Sequence, residues 1–214
     1  MRIAVSSLIA LPAAISEWQP DAVVSLYSPR RPLALAWMGP LLSLPMVDVV
    51  TSPPVRPTSR PVAPHLARPV RGHVLTLAAF MKRHLPNPGG RRAKDGPEPK
   101  LLIHCTAGLG RFPAMAIVAA IIDGQEPAEA CAMVAGAAPA ASPNRLLLRH
   151  CKGVYGVSIV PHAERSFTYR RGTAGAQGKA TGWAELGTCS PPFRGSSIGG
   201  PFLTMHGIFC VRSG

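Results

Sequence analysis

Apolar positions along this chain follow two rhythms. Short runs rich in Ile, Val and Leu at 2–6, 22–27 and 100–104, and another within 41–50, predict strands. Longer stretches predict helices over 72–85, 113–123, 126–140 and 143–155. In the first of these Val74, Leu77, Phe80 and Met81 share one face. The second is apolar all round, as a buried helix is, and the last is opened by Pro143 at an early helical position. Residues 7–18 fit a helix or a loop. Prolines punctuate 51–69 and exclude a regular helix there, and 89–99 reads as a polar turn. Strand, glycine-rich loop and helix in repetition predict an α/β fold, a three-layer sandwich whose central, mainly parallel sheet is flanked by helices.

Periodicity stops near residue 160. The expected organisation is a domain over 1–160 and an irregular, poorly ordered extension over 161–214, whose composition is too poor in apolar residues for a core of its own. Its last stretch, 201–214, has a short apolar patch suited to packing back on the domain and too short to span a membrane.

Composition sharpens this picture. The 214 residues are 47% hydrophobic, enough for one α/β core, whereas 24 Pro and 21 Gly require substantial loops. A formal charge of +13, from 23 basic and 10 acidic residues, favours polyanions and phosphorylated substrates. The basic residues are scattered, with no base-reading module or aromatic platform, so nucleic acid is not the expected partner. In the proline-rich segment Arg56, Arg60 and Arg68 are either substrate contacts or an ordinary solvated basic surface.

Candidate chemistry concentrates after the fourth strand. Residues 103–111, IHCTAGLGR, place Cys105 and Arg111 around a glycine-rich turn directly behind an apolar run. A phosphate dianion needs inward-pointing amides on its equatorial oxygens and a fixed cation, and a loop between a strand and a helix N-terminus supplies the amides. Thr106, Ala107, Gly108, Leu109 and Gly110 form that loop, and Arg111 closes it with a planar fork that holds two oxygens at once. The same amides, the helix N-terminus and Arg111 lower the pKa expected for Cys105, so that it attacks phosphorus as a thiolate. Gly108 and Gly110 permit the turn and the close approach of backbone to ligand. His104 is expected to orient the loop through hydrogen bonds.

The segment resembles the Cys-x5-Arg signature of tyrosine and dual-specificity phosphatases and matches His-Cys-x-x-Gly-x-x-Arg at every fixed position. Residues 2–11, 22–29, 73–80 and 142–150 are similar to a bacterial branch of small tyrosine phosphatase-like proteins, so the resemblance covers about residues 1–155. It implies a cysteine-dependent phosphomonoesterase of protein tyrosine phosphatase type, working through a cysteinyl-phosphate without cofactor or metal. It also exposes a departure. The family's Arg is usually followed by Ser or Thr, whose hydroxyl assists the departing sulfur, and here Phe112-Pro113 follows instead. Slow hydrolysis of the phosphoenzyme, or a catalytically weakened phosphate- or phosphoprotein-binding module, is the alternative this raises.

Protonating the leaving oxygen calls for an acid. No acidic residue lies between Asp48 and Asp95. Asp48, where the similar bacterial proteins keep an Asp, is a candidate acid or a strand-end cap, and Asp95 falls in a polar turn at the far end of the fourth strand. The remaining cysteines carry no such context. Cys131 and Cys151 fall on predicted helices as small hydrophobes, and Cys189 and Cys210 lack zinc-ligand spacing. An odd cysteine count with a reactive thiol fits a reducing compartment, the cytoplasm. The start, 1–16, has the early Arg and apolar run of a signal peptide but is broken by Ser6, Ser7 and Pro12. A sulfurtransferase also uses a loop cysteine, but Arg111 and His104 favour phosphate. The expected substrate is a phosphorylated protein or a small aryl phosphate.

Overall fold

The computed structural model describes residues 1–29, 35–47, 69–85, 97–106, 109–167 and 183–186. Its elements in chain order are β1 (Arg2–Ser7), α1 (Leu11–Trp18), β2 (Ala22–Tyr27), β3 (Leu41–Pro45), α2 (Arg71–His84), β4 (Lys100–Cys105), α3 (Arg111–Ile122), α4 (Pro127–Ala137), α5 (Arg145–Tyr155), α6 (Val160–Ser166) and β5 (Trp183–Glu185). The strands form one sheet in the order β3-β2-β4-β1-β5, parallel except for β5, which runs antiparallel to β1. Helices cover both faces, which makes the architecture a three-layer α/β sandwich.

Alternation along the strands explains the layers. On β1 and β4, Ile3, Val5, Leu101, Ile103 and Cys105 join the larger core with α2, α3, α4, α5 and α6, whereas Ala4 and Leu102 join a smaller core with Leu11, Ala14 and Trp18 of α1. Both faces of β4 are therefore buried, as its unbroken apolar run requires. α3 sits behind the sheet with every residue from Arg111 to Ala120 buried.

α5 begins two residues later than proline placement alone predicts. Asn144, not Pro143, sets the start, because its side-chain oxygen accepts from the Leu147 N–H at 3.1 Å and so caps the helix. At the other end Gly156 adopts φ 73, the left-handed residue that closes a helix at low cost.

Two elements, α6 and β5, fall at or beyond the point where the sequence pattern fades. β5 is three residues long, too short for alternation to show, and forms through long-range contacts. Arg2 is paired with Glu185 through Nε and, at 2.8 Å, through Nη2. Trp18 Nε1 also donates to Glu185 at 3.2 Å, and the Leu186 N–H donates to the Ile3 carbonyl at 2.8 Å. Glu185 is held below the usual carboxylate range by Arg2, with the Trp18 bond adding to the effect. Residues 183–186 thus cover the β1 edge of the sheet. The remainder of 168–214 lies outside the described residues, as do 51–68 of the proline-rich segment, with Arg56, Arg60 and Arg68.

Candidate active site

Cys105 ends β4, beside Ser7 of β1 and Leu26 of β2 in the sheet register, and is 1% exposed. The connections that follow β1 and β2 bring Leu8, Leu11, Leu35 and Trp37 to the smaller core, whereas β4 leads into α3 in the larger core. Neighbouring parallel strands thus send their chains to opposite faces at β4, and the carboxyl end of the strand at such a switch point is the position where open α/β sheets bind ligands.

The loop after Cys105 is tied down from behind. The Leu109 carbonyl accepts from the Ser142 N–H at 2.8 Å, and the Gly110 carbonyl from the Asn144 N–H at 3.0 Å. In a planar trans peptide the N–H points opposite to the C=O. These two bonds therefore aim the amides of Gly110 and Arg111 away from the α4–α5 connection. Gly110 has φ −116, a conformation open to any residue, so the left-handed freedom of glycine is not needed there. Thr106 is exposed, and Ala107 and Gly108 lie outside the described residues.

Arg111 is the first residue of α3 and only 6% exposed. Its Nη1 donates to the Met46 carbonyl at 3.0 Å, and its Nε has no hydrogen-bond partner among the described residues. No carboxylate pairs with it among those residues either. A buried cation without a counterion is costly, by several kcal/mol on the usual scale. Such a group is suited to an arriving anion. Pro113 stands third in the helix, where a missing N–H breaks no intrahelical bond.

His104 is 1% exposed, with Ser6 and Ser25 beside it in the register across β1 and β2. Neither of its ring nitrogens has a hydrogen-bond partner among the described residues. Burial, reinforced by the Arg111 charge, pulls its pKa down from 6.5 to about 4. The ring is therefore neutral at pH 7, so the positive charge beside it is that of Arg111. Because the unfolded chain takes up a proton on this ring below about 6.5 and the folded protein does not until about 4, stability falls as pH drops through that interval. The expected loss is on the order of 3 kcal/mol between those limits. Urea unfolding at pH 7 and pH 4 measures it, and His104→Asn is expected to shrink the difference.

Phe112 is 2% exposed and packs in the larger core. Its ring belongs to the interior, so it is no part of an aromatic substrate surface. Restoring a hydroxyl by Phe112→Ser is expected to cost about 3 kcal/mol through lost burial and a cavity. In a chain of this size that lowers the melting temperature by about 6–12 °C, readable by calorimetry.

Cys131 and Cys151 are buried, and burial pushes their thiols up to about 11 and about 12. Both are neutral interior side chains at pH 7. Among the described residues no group of His, Cys, Asp and Glu is arranged to hold a metal ion, and no helix is long and apolar enough to cross a membrane. Asp48 and Asp95 lie outside the described residues. The chain two residues before Asp48 is nonetheless fixed at the site, by the bond from Arg111 to Met46.

Three contributors were not visible as site residues in the sequence. Met46 acts through its carbonyl, which no side-chain pattern reveals. Ser142 and Asn144 act through backbone amides, and Ser-Pro-Asn ahead of an apolar helix was a helix-start signal from which Asn144 at least could have been found.

No protein-family model matches this chain, and no curated protein matches it. Among solved structures it is similar to human DUSP28, with 16% identity over 76% of this chain and 92% of that one, at a TM-score of 0.45. A mouse structure described as a dual specificity phosphatase complexed with zinc tungstate shares 14% identity over 78% and 89%, at 0.46. Tk-PTP in the active form shares 18% over 73% and 92%, also at 0.46. Likenesses this distant assign no role to any residue of this chain.

Proposed function

We propose that this protein is a cysteine-dependent phosphomonoesterase, of protein tyrosine phosphatase type, acting on a phosphorylated protein or a small aryl phosphate. The observation that carries this reading is the buried Arg111 guanidinium, without a carboxylate among the described residues, at the start of the helix that follows the Cys105 loop. An anion bound there gains a desolvated cation and the oriented amides of the helix start.

In the first step the Cys105 thiolate attacks phosphorus and the P–O bond to the leaving group breaks. The leaving oxygen takes its proton from Asp48, while Arg111 and the loop amides hold the equatorial oxygens. In the second step water attacks phosphorus and gives its proton to Asp48. The S–P bond then breaks, returning the thiolate and releasing phosphate. The acid role of Asp48 is supported by the anchoring of Met46 on Arg111. Asp48→Asn is expected to slow hydrolysis of phenyl phosphate by about 10²-fold and of p-nitrophenyl phosphate only a few-fold, since the latter's oxygen departs without help. Equal losses for both substrates remove Asp48 from the role.

Phe112 favours a second reading, phosphate binding with little turnover. It places no hydroxyl next to the sulfur at the helix start, so expulsion of the thiolate in the second step lacks that assistance. Following release beyond the first turnover separates the two readings: the enzyme goes on to release more than one alcohol per Cys105, and under the second reading release stops at or below one.

A further inference from the structure

Burial opposes the charge that a cysteine nucleophile must carry. Cys131 and Cys151 show the size of the effect, since burial pushes their thiols up to about 11 and about 12. A sulfur that is to bear charge at an equally buried place is stabilised by hydrogen-bond donors aimed at it. The sheet gives Cys105 one register neighbour on each side, Leu26 of β2 and Ser7 of β1. Leu26 has no donor to offer. Ser7 has a hydroxyl.

Alternation puts that hydroxyl on the same face as the sulfur. Ile3 and Val5 of β1, and Leu101, Ile103 and Cys105 of β4, face the larger core, and Ser7 continues the first series by two residues. Neighbouring strands run about 4.8 Å apart, so side chains at paired positions on one face are within reach of each other. Ser7 is 2% exposed and is the first polar side chain on that face of β1. Its oxygen accepts from the Ala10 N–H at 3.3 Å, a long bond by the usual range, and its own proton has no acceptor among the described residues. A buried donor left unspent is costly, which suits a partner that gains charge during the reaction.

We propose that Ser7 is a catalytic residue of the second step: its hydroxyl donates a hydrogen bond to the Cys105 sulfur as the S–P bond breaks. The proposal rests on the phosphomonoesterase reading. The electron pair of the S–P bond stays on sulfur and the hydroxyl keeps its proton, so water and Asp48 play the parts already given to them. The hydroxyl that Phe112 does not supply at the start of α3 is thus partly replaced from β1. A purely local alternative is that Ser7 serves only to receive the Ala10 N–H at the start of α1.

Ser7→Ala in the full chain separates the two roles, with burst and steady-state kinetics on p-nitrophenyl phosphate reading the two steps apart. The expected result is a burst that still approaches one p-nitrophenolate per Cys105 at a rate within about threefold of the parent, followed by a steady state about 10-fold slower. Loss of the Ala10 contact is expected to lower the melting temperature by about 2–4 °C. Ser7→Thr keeps a hydroxyl on a side chain suited to a strand and is expected to hold the parent's ratio of the two rates. A lowered melting temperature with both rates unchanged assigns Ser7 to the turn alone, and equal slowing of both steps points to general damage; either overturns the proposal. If the parent itself binds vanadate and releases no p-nitrophenolate, the phosphatase reading fails and the role of Ser7 falls with it.

Discussion

Replacing Cys105 by Ser is expected to lower turnover of p-nitrophenyl phosphate by about 10⁴-fold or more, while affinity for vanadate or phosphate stays within a few-fold of the parent. The hydroxyl has nearly the size of the thiol but is not ionised at neutral pH, so the nucleophile is lost and the cradle is kept. Cys105 occupies a buried position at the end of a central strand, where a volume-conserving change disturbs little. Isothermal titration with vanadate beside steady-state kinetics reads both quantities. Unchanged hydrolysis would sink the thiolate mechanism.

Arg111 is expected to behave differently, because it serves binding as well as catalysis. Arg111→Met removes the cation that awaits the anion, so kcat/KM and vanadate affinity both fall, the former by about 10³-fold. Stability is expected to hardly change. The buried guanidinium has no carboxylate among the described residues, and its desolvation is relieved when an apolar side chain of similar length replaces it. The Met46 carbonyl loses its donor, which offsets part of that relief. The melting temperature is accordingly expected to stay within about 3 °C of the parent. A large fall in melting temperature with retained vanadate binding would mean that Arg111 is a structural cation.

These two expectations show which parts of the molecule the chain reveals directly. β1, β2 and β4 are legible because strands buried on both faces carry unbroken apolar runs, and 3–5, 22–24 and 101–103 are such runs. The segment from Cys105 to Arg111 stands out in the sequence because the anion-gripping role proposed for it would leave a mark in residue type and spacing. What escaped detection was made by the backbone or by distant contacts. The amides of Ser142 and Asn144 behind the loop, and the Met46 carbonyl on Arg111, act through groups that every residue carries. Glu185 pairs with Arg2 across nearly the whole chain, so Trp183–Glu185 shows no strand pattern of its own.

Phe112 marks a conflict between core and chemistry. Its ring fills the interior, at the position next to Arg111 where the resembled phosphatases usually carry the hydroxyl of Ser or Thr. The phosphoenzyme is therefore expected to form faster than it hydrolyses, with the second step limiting turnover.

Rapid-quench kinetics with p-nitrophenyl phosphate test the central claim most directly. The account predicts a burst approaching one p-nitrophenolate per Cys105, followed by a slower steady state, with the burst absent in Cys105→Ser. No p-nitrophenolate release from a protein that still binds phosphate would contradict it.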